Sequence, residues 1–87
     1  MLNMADHAHA FLAALSKRSE EPHPRYQDKY DIGRVFPFDD SYTDELVRYL
    51  ANKQFIEYFG NDPQSTRIAI TDYGRRSVKK DYYDMIR

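Results

Sequence analysis

An α+β fold, built from a three-helix core, a two-stranded hairpin and a C-terminal helix, is predicted by three features of these 87 residues. Apolar side chains recur at helical spacing through the first half. Two short β-branched or aromatic runs then flank a stretch of turn formers, and helical spacing returns after Thr71. The length suits one domain, residues 1–87, around a single core. With 8 Tyr and 5 Phe, that core has bulky filling despite a modest aliphatic content.

Met4, Ala8, Phe11, Leu12 and Leu15 fall on one face of a helix from Met4 to Arg18, with Asn3 placed to cap its first turn. Pro22 and Pro24 close it. The segment Arg25 to Phe36 reads as a second helix, with Tyr26, Tyr30 and Gly33 along one side. Pro37 pushes Phe36 away from helical angles and Asp39-Asp40 favours a turn, so a third helix starts afresh, with both Phe rings packed inward. Ser41-Tyr42-Thr43-Asp44 matches a capping box, and Thr43, Leu46, Val47, Leu50 and Gln54 share the core face of the helix that follows.

Phe55 to Phe59 and Arg67 to Thr71 read as two strands joined by the turn formers Gly60 to Thr66. No strand is legible between the first two helices, so the sheet is expected to have two strands. The Thr71 hydroxyl is placed to cap a last helix bearing Gly74, Val78, Tyr82, Met85 and Ile86 on its apolar side, and Gly74 allows that helix to approach the hairpin closely.

Composition narrows the function. There is no Cys, which excludes a disulfide framework and thiolate metal sites and favours a reducing, cytoplasmic setting. The apolar stretch Ala8 to Leu15 is interrupted by His9 and preceded by Asp6, without a basic leader, so no membrane partner is expected. His7 and His9 stand two apart and project differently on a helix, which argues against a metal site. Neither a nucleophile elbow nor a phosphate loop is present, so we expect no enzyme activity and no cofactor. Charge is uneven: residues 1–64 carry 7 basic and 11 acidic side chains, and residues 65–87 carry 6 basic and 3 acidic. An anionic partner is drawn to the C-terminal end.

The passage Leu50-Ala51-Asn52-Lys53-Gln54-Phe55-Ile56, followed by Arg67-Ile68-Ala69-Ile70-Thr71-Asp72-Tyr73-Gly74-Arg75, resembles the helix-to-wing passage of winged helix-turn-helix regulators of the MarR and PadR groups. Ile70-Thr71-Asp72-Tyr73-Gly74 fits their "Leu-Thr-x-x-Gly" step, whereas Gln54 stands where they often have Gly. The resemblance covers about half of the chain. It implies a small winged helix that binds double-stranded DNA to regulate transcription, with the third helix in the major groove.

On that helix Ser41, Glu45, Arg48 and Asn52 lie opposite the core face, with side chains suited to base edges. Arg67 at the wing base and Arg75 and Arg76 on the last helix, with Lys79 and Lys80 beside them, are the candidate phosphate contacts. The resemblance also implies a homodimer paired through Val78, Tyr82, Met85 and Ile86. Against DNA, Asp39, Asp40, Asp44 and Glu45 crowd the helix entry with no nearby Lys or Arg before Arg48. That crowding supports the alternative of a winged-helix protein-interaction module.

Overall fold

The computed structural model describes residues 3–20 and 22–85, with side chains up to residue 79. Helix α1 (Met4–Arg18) starts where Asn3 and Asp6 cap each other reciprocally, the Asp6 N–H donating to Asn3 Oδ1 at 3.0 Å. Its face of Ala8, Phe11, Leu12 and Leu15 is buried. At its end the buried Ser19 hydroxyl donates to the Leu15 carbonyl at 2.7 Å, satisfying one of the last orphan acceptors.

The second helix is shorter than the sequence suggests, and a strand precedes it. Strand β1 (Gln27–Asp28) pairs antiparallel with residues 67–68, and only then does α2 (Lys29–Val35) begin. The local cause is Asp28, whose side chain accepts the Tyr30 N–H at 2.8 Å and so caps α2. Arg25 and Tyr26 stay outside the helix and bond to Glu57 instead.

Helix α3 (Asp40–Asn52) is capped by Asp39, whose carboxylate accepts the Tyr42 N–H at 2.8 Å, rather than by Ser41. Starting there turns Thr43, Leu46, Val47 and Leu50 fully inward. Phe36 and Phe38, both half-buried, stack at 4.7 Å between α2 and α3, as the turn sequence suggested.

Gln54 does not continue the helical face. It takes a left-handed conformation (φ 67°), while its N–H donates to the Ala51 carbonyl and that of Phe55 to the Leu50 carbonyl, each at 3.0 Å. These are the two hydrogen bonds of a Schellman ending, and they aim the chain into β2 (Ile56–Tyr58).

Strand β3 (Arg67–Ile70) lies in the middle of a three-stranded antiparallel sheet of order β1-β3-β2, with Ile56 opposite Ile70 and Tyr58 opposite Ile68. The sheet therefore has one strand more than expected, because a two-residue strand carries no periodicity to detect. Ile56, Ile68 and Ile70 are buried and cover one end of the helical core.

Thr71 then caps α4 (Asp72–Met85), its Oγ1 accepting the Gly74 N–H at 3.0 Å and donating to the Gln54 carbonyl at 2.7 Å. A Cβ at Gly74 would stand 2.2 Å from the Phe55 carbonyl oxygen, so the close approach of α4 to the hairpin requires glycine. Among the described residues, no helix is long and apolar enough to cross a membrane.

Candidate functional site

Because Thr43, Leu46, Val47 and Leu50 bury one face of α3, helical spacing sends Ser41, Glu45, Arg48 and Asn52 outward, and all four are exposed. The flank of α3 toward the hairpin forms one wall of an open cleft of about 530 Å³. Asp44, Arg48, Ala51 and Asn52 line that wall, with Tyr58, Pro63 and Gln64 of the hairpin and Lys29 and Tyr30 of α2 completing the cleft. The structure thus brings Arg48 and Asn52 beside the hairpin tip.

At the base of the cleft, Lys29 Nζ lies 3.0 Å from Asp44 Oδ1, with the lysine side chain only 7% exposed. The Tyr30 hydroxyl donates to the same carboxylate oxygen at 2.8 Å, and the ammonium sits 5.2 Å from the centre of the Tyr30 ring. Burial alone would raise the Asp44 pKa. The hydrogen bonds from Lys29 and Tyr30, with the charges of Lys29 and Arg48, outweigh it and hold the carboxyl below its ordinary value. The Tyr30 phenol is shifted up, chiefly because it donates to Asp44 and also because burial and nearby carboxylates disfavour its anion. Tyr58 is shifted up by burial, with Arg48 opposing and Asp44 adding to the shift.

The crowded acidic entry of α3 is not without cations, contrary to the sequence expectation. Asp39 is used as the helix cap, Asp40 pairs with Arg34 at 3.2 Å and Asp44 with Lys29. Both cations come from α2, and Lys29, distant from Arg48 in sequence, lines the same cleft. The Arg34–Asp40 pair is exposed on both sides and contributes little stability.

The other candidate cations are distributed differently. Arg67 is exposed at the start of β3, opposite Asp28 of β1. Arg75 is half-buried and Arg76 exposed, the latter lining a hollow with Ser77 and the stacked pair Phe55 and Tyr73 rather than the α3 cleft. Lys79 is exposed.

Val78, expected at a dimer contact, is half-buried and packs against the chain's own core. The side chains of Lys80, Tyr82, Met85 and Ile86 lie outside the described residues. His7 is engaged with Tyr42, its Nδ1 lying 2.6 Å from the hydroxyl, inside the cluster of Phe36, Phe38 and Tyr42.

Sequence reasoning missed Lys29, Tyr30, Tyr58, Pro63 and Gln64 as parts of one site. Only the turn character of residues 60–66 hinted that the hairpin tip stands clear of the core. Comparison of the chain with protein-family models, with curated proteins and with solved structures gave no match in any of the three.

Proposed function

We propose that this chain is a winged-helix DNA-binding regulator, with α3 as the recognition helix and the β2–β3 hairpin as the wing. The observation that carries the proposal is the outward placement of Arg48 and Asn52 on α3, across a cleft from the hairpin tip. Arg48 suits the O6 and N7 acceptors of guanine, and Asn52 the N7 acceptor and N6 donor of adenine. Arg67 serves the phosphate backbone.

Three further findings support this. A short strand between the first two helices, absent from the sequence expectation, supplies the third strand common to winged helices. Gln54 adopts the left-handed conformation at the position where the resembling families often have glycine. Pairing of Asp44 and Asp40 with α2 cations weakens the repulsion of phosphate at the helix entry.

The test is fluorescence anisotropy of the protein with duplex fragments from upstream of its own gene, at low and near-physiological salt. Sequence-selective binding is expected, with an affinity that falls by a log–log slope of about −0.9 per phosphate contacted. Arg48→Ala should weaken specific binding by about 1–3 kcal/mol and relax sequence preference at one position. Failure to bind at low salt would overturn the proposal for those fragments.

A second reading, a module binding a basic protein surface, is favoured by Glu45, which is exposed beside Arg48 and Asn52 on α3 and, among the described residues, has no ion-pair partner. Glu45→Lys separates the two. It should strengthen DNA binding by removing a repulsive charge, and it should weaken capture of a basic partner.

A further inference from the structure

Asp44 and Arg48 stand four residues apart on α3, the spacing at which a carboxylate pairs with a cation one turn further along a helix. That pair is not made. Asp44 Oδ1 instead takes Lys29 Nζ at 3.0 Å and the Tyr30 hydroxyl at 2.8 Å. Among the described residues Arg48 has no ion-pair partner.

Lys29 is built to make this choice. Its side chain is withdrawn from water, so its ammonium has lost most of its hydration and holds its counter-ion strongly. Its backbone is fixed as well, the N–H donating to the Thr66 carbonyl at 2.9 Å, next to β3. Tyr30 adds a hydrogen bond to the same oxygen but no charge.

We propose that Lys29 is a positioning residue for Arg48: by sequestering the Asp44 carboxylate, it keeps the Arg48 guanidinium unpaired beside Asn52, free to meet a guanine edge. This rests on the DNA-reading role of α3 set out above. The Asp44 side chain is 41% exposed and lies one helical turn from Arg48, so without the Lys29 ammonium it is free to close on that guanidinium. Arg48 then binds an internal carboxylate in place of a base.

The experiment has one arm that needs no DNA. Phenylglyoxal modifies accessible, unpaired arginines, and mass spectrometry reads the rate at Arg48 against exposed Arg18 in the same molecule. Lys29→Met should slow Arg48 modification several-fold, and Lys29→Met combined with Asp44→Asn should return it to the wild-type rate. A purely structural role for Lys29 gives no such rescue. If Lys29→Met does not fold, Lys29→Gln, which keeps a donor to Asp44 but no charge, reads the same rate. Equal Arg48 rates in wild type and the folded Lys29 variant would overturn the proposal.

In the DNA arm, Lys29→Met should weaken specific binding about tenfold, the lower end of what one bidentate base contact supplies. The double variant should regain that loss, and Lys29→Met should change nothing once Arg48 is Ala. A loss that persists in the Arg48→Ala background would also overturn it. If the wild type binds no DNA, the proposed function fails, and the modification rates alone decide the role of Lys29.

Discussion

Replacing Gly33 with Ala tests how α2 and α3 are held together. A Cβ at Gly33 would stand 2.2 Å from Thr43 Oγ1, 3.1 Å from its Cγ2 and 3.2 Å from its Cβ. Ordinary contact needs about 3.5 Å, so the groups must part by roughly 1 Å. Thr43 is fully buried, and the close packing around it leaves its side chain little room to swing. The helices must move instead, and overpacking of this kind costs about 1–3 kcal/mol, offset by about 1 kcal/mol from the better helix propensity of Ala.

A net loss of up to about 2 kcal/mol lowers Tm by roughly 4–8 °C per kcal/mol in a domain of this size, which calorimetry resolves. Among the described residues the buried Thr43 hydroxyl has no hydrogen-bond partner, so Thr43→Ala alone trades a lost methyl against a relieved polar group and should be nearly neutral. In the double variant the new methyl enters the vacated space, and stability should return to the wild-type level or above. Gly74→Ala admits no such rescue, because the obstacle there is the Phe55 backbone carbonyl. A Gly33→Ala protein that melts no lower than wild type, or a double variant no more stable than that single one, would refute the reasoning.

Two stability predictions join those made for Arg48 and Lys29. Gln54→Gly should raise stability by about 0.5–1 kcal/mol in chemical denaturation, since glycine removes a left-handed penalty of about 1–2 kcal/mol and returns part of it as chain entropy. The second concerns pH. The Asp44 carboxyl is depressed in the fold, so its contribution is present above its ordinary value of 3.8 and is lost as pH falls through the lower folded value. Asp44→Asn should flatten that acid limb of the stability curve. Tyr30 has the opposite sign. Its raised phenol contributes below its ordinary value of 10.0, and that contribution is lost as pH rises through the folded value, so Tyr30→Phe should flatten the alkaline limb.

What the sequence made legible follows from the range of each interaction. Helix α1 was readable to its ends because Asn3, Asp6 and the buried face are all local. The inward face of α3 was readable for the same reason, and with it the outward face of Ser41, Glu45, Arg48 and Asn52. Strand β1 was not, because what makes Gln27 and Asp28 extended is pairing with Ile68 and Arg67 far along the chain.

The cap of α3 was ambiguous, since both Asp39 and Ser41 offer oxygens. Tertiary packing selects Asp39, whose helix carries Thr43 into the space left by Gly33. The partners of Asp44 were hidden for a similar reason. Along the sequence its natural mate is Arg48, and only the docking of α2 delivers Lys29.

The position of β3 has a consequence for synthesis on the ribosome. The strand made last of the three is the middle one, and it also brings the buried Ile68 and Ile70. A nascent chain halted before Arg67 therefore lacks both sheet pairings at once, and β1 and β2 have nothing to hold them together. The three helices can form as each emerges, but closure of the core over Ile56 waits for one late strand. Until then the apolar end of the helical core stays open to water, the kind of transient surface that makes an incomplete chain prone to aggregate.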